Sequence, residues 1–290
     1  MSMHPLSSEH PDYEVLSPLV VAILKAAGGL EKFKLDIPVL FRTAIDEVID
    51  APRTNRFTLN EIEKTEKTYL GTKIEILLRN HLKLPKGNLL DLNVNNTECD
   101  IKHTMHASWS IPQENYNHPA ILLKENEKTA LMDFGLVNIR PEYLRGGMNQ
   151  DRKTGISAAN MVHVWWILKN YPYPPNFWEK LPPSVKTRIL NAGSASLRIA
   201  ELFRQIQEKP ITRTQIHAIS QQHDYMKRMR KNGGARDILH KENIYILWGS
   251  GDKKLIKELG LGTLHKDEFV SVSPKNDAER KLITSSRHGK

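Results

Sequence analysis

Leu89-Leu90-Asp91-Leu92-Asn93-Val94-Asn95-Asn96-Thr97-Glu98-Cys99-Asp100-Ile101-Lys102 is the stretch whose reading decides the fold. Leu89–Leu92 and Cys99–Lys102 interleave acids with apolar residues, as half-buried strands do. Asn93–Asn96 between them is turn-forming, so the spacing predicts a hairpin. Side chains alternate along a strand, so Asp100 and Lys102 leave the same face, and Asp91 comes within reach from the partner strand. Buried acids need a partner or a cation. Carboxylates that hold a hard divalent cation, with an ammonium group beside them to orient water, are what metal-dependent phosphodiester cleavage requires. Glu75 lies in Thr68–Leu78, which reads as a helix whose polar face presents a carboxylate to this hairpin.

An Asp-x-Lys pair alone is common in a charged chain and most often marks a solvated strand edge, so the rest of the sequence has to decide. The 290 residues suffice for one large or two ordinary domains, and 39% hydrophobic with 26% charged content is that of a soluble globular protein. The longest apolar run, Leu19–Leu24, is too short to span a membrane, and the residues before it lack the positive start of a signal peptide. With Cys99 the single cysteine, no internal disulfide forms, and a cytoplasmic protein is expected. From Ser184 onward the chain holds 21 Lys and Arg against 11 Asp and Glu, whereas the preceding 183 residues hold 21 against 22. Essentially all the excess positive charge therefore belongs to the C-terminal part, a surface suited to a polyanion.

Five prolines within Tyr171–Pro183 exclude helix and central strand and predict an extended connector, whose aromatics imply that it is docked. The expected organisation is a catalytic domain over residues 1–170, a linker over 171–183 and a basic domain over 184–290. In the first, Tyr13–Ala27 reads as a helix ending at Gly28-Gly29, and Leu40–Ile49 as a second helix. A basic loop over Ala51–Phe57 contains Arg53 and Arg56, and Thr58 or Asn60 is expected to cap the next helix. Ala120–Lys124 and Thr129–Val137 read as core strands joined by a charged hairpin, and Asn160–Leu168 as a closing helix. The inferred architecture is a mixed sheet flanked by helices. Arg140, Arg145, Asn149, Gln150, Arg152 and Lys153, with Gly146-Gly147 among them, make up a candidate DNA-reading loop, since Arg suits guanine edges and phosphates and Asn suits adenine.

In the C-terminal part, Ser184–Leu190 and Ser194–Ile206 have helical periodicity, Thr212–Ser220 reads as a short helix, and a basic helix is expected over Asp224–Arg236. A short helix followed by a basic one is the pattern of a helix-turn-helix, with Lys227, Arg228, Arg230, Lys231 and Arg236 toward DNA. Ile244–Trp248 and Glu268–Val272 read as strands, which makes the predicted module a winged variant.

The succession Tyr69-Leu70-Gly71-Thr72-Lys73-Ile74-Glu75, Leu90-Asp91 and Asp100-Ile101-Lys102, followed by Gly155–Ala159, Asp224–Arg228, Asn232–Arg236 and Glu268–Ser271, resembles the NaeI family of type II (IIE) restriction endonucleases. The resemblance runs over nearly the whole chain and rests on the order and spacing of the motifs together. One departure is Leu90, where the PD-(D/E)xK superfamily pattern has proline. The resemblance implies a restriction-endonuclease-like α/β (α+β) core with a C-terminal CAP-like winged helix-turn-helix domain. It also implies a prokaryotic cytoplasmic homodimer, Mg²⁺ as cofactor, and double-stranded DNA as partner in two copies, a substrate and a stimulating effector. Carried onto this sequence, it makes Glu75, Asp91, Asp100 and Lys102 the active site. Asp91, Asp100 and the Ile101 carbonyl hold the cation, Glu75 acts through water or a second cation, and Lys102 orients and helps deprotonate the attacking water. The products are then 5′-phosphate and 3′-hydroxyl ends. Two rivals stand beside this reading: a repair or nicking nuclease on the same core, and a winged-helix regulator whose acidic cluster is structural.

Overall fold

In a computed structural model, which describes residues 3–230 and 232–285, the chain divides into two units. The first spans Met1–Val48 and Leu59–Asn176, the second Ile49–Thr58 and Phe177–Lys290.

The helices before the hairpin are α1 (Tyr13–Ala26), α2 (Leu30–Ile49), α3 (Ala51–Thr54) and α4 (Lys64–Leu82). The end of α1 is set by glycine: Gly28 and Gly29 take φ of +84° and +104°, and their N–H groups bond back to the Lys25 and Leu24 carbonyls, closing a Schellman turn. The next helix is longer than Leu40–Ile49, because Pro38 lies inside it without ending it. Neither Thr58 nor Asn60 caps α4. A 3-10 turn at Leu59–Glu61 intervenes, and Glu63 at the N-cap donates its N–H to Glu66 Oε2 at 2.7 Å.

The first unit's sheet runs β1-β2-β3-β4-β5, formed by β1 (Leu92–Val94), β2 (Thr97–Thr104), β3 (Pro119–Asn126), β4 (Leu131–Asn138) and β5 (Trp165–Pro172). All neighbours are antiparallel except β2 and β3, which makes the sheet mixed. The predicted hairpin forms as β1–β2, but its first strand starts only at Leu92, leaving Leu89–Asp91 outside it, and Asn93 lies in the strand, so that the turn is Asn95 and Asn96 alone, at φ of 51° and 63°. Positive φ at both positions is what a two-residue type I′ turn demands. The parallel pair needs a long crossover, and residues 105–118 provide it. This connection contributes Trp109 and Ile111 to a core shared with Ala120, Leu122, Val137 and Trp166 on one face of the sheet. On the other face Phe33 of α2 meets Phe134 of β4 edge to face at 4.9 Å. The middle strands are therefore buried on both sides.

Asn160–Leu168 is not a helix. A 3-10 turn covers Ala159–His163, and Trp165–Leu168 is fully buried in β5. A short continuous apolar run fits a buried strand as well as a helix, and here β-branched and aromatic side chains favour the strand. β5 also takes the first two residues of the expected linker, Tyr171 and Pro172. As the edge strand, it tolerates proline at its end. Tyr173 is buried too, donating its hydroxyl to Glu127 Oε2 at 2.6 Å.

In the second unit, α5 (Pro183–Leu190) and α6 (Ala195–Gln205) precede β6 (Ile211–Thr212), α7 (Arg213–Ser220), α8 (Tyr225–Met229) and α9 (Ala235–His240). They are followed by β7 (Tyr245–Trp248), α10 (Lys253–Glu258), β8 (Glu268–Val272) and α11 (Asp277–Ser285). The sheet order is β6-β8-β7, antiparallel throughout. Thr212 and Gln215 form a capping box on α7, and Arg198 of α6 donates to the Ile219 and Ser220 carbonyls at its end. Segment 49–58 belongs here rather than to the first unit: α3 packs on α7, and Phe57 lies edge to face with Trp178 at 4.8 Å. The expected basic helix over Asp224–Arg236 is instead two short ones, α8 and α9. Asn232 and Gly233 take φ of 72° and 87°, which interrupts the helix between them.

Candidate active site

The hairpin register decides which acids meet. Leu92 pairs with Cys99 and Val94 with Thr97; one residue further, Asp91 faces Asp100. Directly opposed side chains on one face are neighbours. Asp91 Oδ2 also accepts the Ile101 N–H at 2.9 Å, which ties the end of β1 to the middle of β2. Lys102, two residues along the same face, places Nζ 2.6 Å from Asp100 Oδ2. Glu75 completes the group from α4, close enough to feel the charges of Asp91 and Lys102, and accepts from Arg79 Nη1 at 3.2 Å. α4 is held by a buried stripe, Leu70, Ile74, Leu78 and Leu82. It approaches β2 closely at Gly71, where a Cβ would lie 3.3 Å from His103 Nδ1. Glu75 is one turn further along.

Burial gives this cluster its electrostatics. Asp100 is 4% exposed. Its pKa is pushed up to about 7, first by burial and then by the hydrogen-bonded Asp91, against the pull of Lys102. Glu75 is also raised, by burial and then by Asp91, while Arg79, Lys86 and Lys102 oppose. Crowded, desolvated carboxylates are stabilised by an added positive charge. Among the described residues no three His, Cys, Asp or Glu side chains form a ready metal cage. The donors here are two carboxylates beside a strand backbone, hard oxygens of the kind Mg²⁺ takes one or two at a time with water and phosphate completing its shell. The residues present fit such a cation.

One contributor escapes sequence reasoning. Asn115, 2% exposed, closes the 3-10 turn Gln113–Asn115 in the crossover and donates its Nδ2 to Asp100 Oδ2. Nothing in local periodicity marks it; its position follows only from the parallel β2–β3 pairing.

The candidate DNA-contacting residues have diverse settings. Arg145, Asn149 and Arg152 are exposed and Lys153 is half-buried. Together with Ser108, Trp109 and Thr154, Arg145, Asn149 and Lys153 line an open pocket, with Arg145 donating to Ser108 Oγ. Arg140 is committed to structure: its Nε donates to buried Asp12 Oδ1 at 2.7 Å. Arg53 pairs with Asp50 and Arg56 is half-buried, both in the second unit. Lys227 and Arg230 are exposed, whereas Arg228 donates to Gln222 Oε1 at 2.8 Å. Arg236 is half-buried, and burial lowers its guanidinium pKa despite Asp252 nearby. Lys231 lies outside the described residues.

No single helix among the described residues is long and apolar enough to cross a membrane. The sequence profile described as Restriction endonuclease NaeI matches residues 36–280. The type II restriction enzyme NaeI of Lentzea aerocolonigenes is 30% identical over 256 residues, which cover 83% of this chain and 80% of the relative. The matched residues 36–280 take in the acid hairpin, Glu75 and most of the basic unit, and the chain belongs to the restriction endonuclease NaeI family, whose members are site-specific deoxyribonucleases.

Proposed function

We propose that this chain is a type II restriction endonuclease that hydrolyses double-stranded DNA with Mg²⁺ at the Asp91, Asp100 and Lys102 cluster. The observation that carries the reading is the convergence of Asp91 opposite Asp100, with Lys102 2.6 Å from the Asp100 carboxylate. Asp91, Asp100 and the Ile101 carbonyl would hold the cation, and Glu75 would act through water at its side. When bound, Mg²⁺ would supply positive charge against the negative charge that develops on the phosphate and the leaving oxygen. The Lys102 ammonium orients the attacking water and its charge favours loss of that water's proton to the surrounding solvent as the new oxygen–phosphorus bond forms. The bond from phosphorus to the 3′ oxygen breaks, leaving 5′-phosphate and 3′-hydroxyl ends.

The second unit, in this reading, is a CAP-like winged-helix module that binds a further, stimulating DNA duplex, and the enzyme works as a homodimer. Its excess of basic residues and the succession of α7, α8 and α9 ahead of β7 and β8 support this assignment. Digesting a sequenced plasmid in Mg²⁺ and mapping the ends tests the proposal directly. The expected result is double-strand breaks at one palindromic site, abolished in Lys102→Ala with DNA binding retained in a gel shift. Random nicking, or binding lost together with cleavage, refutes it.

A further inference from the structure

Asp91 is delivered by a loop with no helix or strand to hold it, between the end of α4 at Leu82 and the start of β1 at Leu92. What holds that loop is a side chain from the neighbouring strand. Glu98 of β2 accepts three consecutive backbone N–H groups: Asn88 at 2.8 Å through Oε1, and Leu89 at 3.3 Å and Leu90 at 3.0 Å through Oε2. Successive N–H groups converging on one carboxylate make a backbone nest, which fixes the path of the chain that forms it. The loop closes over the carboxylate only because residue 87 is glycine. A Cβ there would fall inside contact distance of Glu98 Oε2 and the Leu90 carbonyl oxygen, and 2.9 Å from the Leu92 carbonyl oxygen. The base of the loop is pinned separately, by the Asn93 N–H to the Pro85 carbonyl at 3.0 Å.

We infer that Glu98 is a positioning residue for Asp91: seated in the Asn88–Leu90 N–H groups, it fixes the loop that sets Asp91 opposite Asp100. The inference rests on the proposed role of Asp91 in the active site. The last of the three bonded amides is that of the residue immediately before Asp91, and Leu90 Cα is one peptide unit from Asp91 Cα. Freedom in the loop therefore passes directly into the position of the carboxylate. A displacement of about 1 Å in such a group costs roughly 10²-fold in rate.

The test uses the full chain with Glu98→Gln, which keeps the side chain's size but replaces one of the two accepting oxygens with an N–H donor, and with Gly87→Ala, which disturbs the same loop without changing any charge. Three quantities are read: plasmid cleavage kinetics in Mg²⁺, the Mg²⁺ concentration for half-maximal cleavage, and amide hydrogen exchange across residues 84–92. We expect kcat to fall about 10²-fold at unchanged KM for DNA and the Mg²⁺ midpoint to rise about tenfold or more. Exchange should quicken only in that segment, in both variants. Cleavage left intact in a variant with a freed loop overturns the inference, as does cleavage lost without faster exchange. Loss of protection across the whole sheet in both variants assigns Glu98 to folding and also overturns it. Asp91→Asn separates this from the active-site reading, because cleavage surviving in that variant removes Asp91 from the site whatever Glu98 does.

Discussion

Removing the carboxylate of Asp12 should cost this protein about 3 kcal/mol and loosen the segment that leads into its candidate DNA-reading loop. Asp12 is fully buried just before α1 and accepts from Asn138 Nδ2 at 3.0 Å, Arg140 Nε at 2.7 Å and the Tyr143 hydroxyl at 2.7 Å. In Asp12→Ala all three donors lose their acceptor. Breaking a buried ion pair costs about 3–5 kcal/mol. Arg140 is 32% exposed and rehydrates, which favours the lower end. The two neutral donors, at about 1–1.5 kcal/mol each, reach a similar sum. Asp12→Asn keeps one acceptor and should lose about half as much. Urea unfolding followed by tryptophan fluorescence measures both; a loss below about 1 kcal/mol in Asp12→Ala refutes the reasoning. The pH dependence gives a second check. Burial raises the Asp12 carboxyl, but the bonds from Asn138, Tyr143 and Arg140 together bring it below its ordinary value of 3.8. Its folded-state pKa being depressed, the contribution is fully present above the unfolded value of about 3.9. It is lost as the pH falls through the folded one. The gap between the wild type and Asp12→Ala should therefore narrow below about pH 4, and a gap that is unchanged there contradicts the assignment.

Asn115→Ala, which deprives Asp100 of a buried donor, should lower cleavage by about 10- to 100-fold while leaving DNA binding in a gel shift unchanged; full activity would remove Asn115 from the site. Lys227→Ala with Arg230→Ala should flatten the dependence of DNA affinity on salt, the log–log slope falling by roughly one for each phosphate that the protein no longer neutralises. An unchanged slope counts against this face meeting DNA. Gly135→Ala would place a Cβ 2.6 Å from the Trp166 ring and 2.7 Å from Val164 Cγ1. Overpacking there should cost about 1–3 kcal/mol in urea unfolding, with no selective effect on Mg²⁺ dependence.

What could be read from the sequence was local. The β1–β2 hairpin was legible because alternation and an Asn-Asn turn lie within one short stretch, and the helix of Glu75 because its apolar stripe repeats every turn. The strand at Trp165–Pro172 was not, since a four-residue apolar run has no period that tells strand from helix. The break between α8 and α9 was signalled by Asn232-Gly233-Gly234, yet the density of basic residues around it suggested one continuous helix. Segment 49–58 changes units through the packing of Phe57 and α3 on residues far away in sequence.

The same distinction explains how the site is built. The two-residue turn fixes the hairpin register, and a slip of one residue would carry Asp91 to the opposite face from Asp100. Register alone nevertheless leaves Asp100 buried beside a second acid, a costly arrangement without donors around it. Those donors come from both sides of β2. Lys102 is supplied by the strand itself, and Asn115 by the crossover that a parallel neighbour makes obligatory. The parallel pairing of β2 with β3 is thus part of how the candidate site is built: an antiparallel neighbour joined by a tight turn would leave no chain in the place from which Asn115 reaches Asp100.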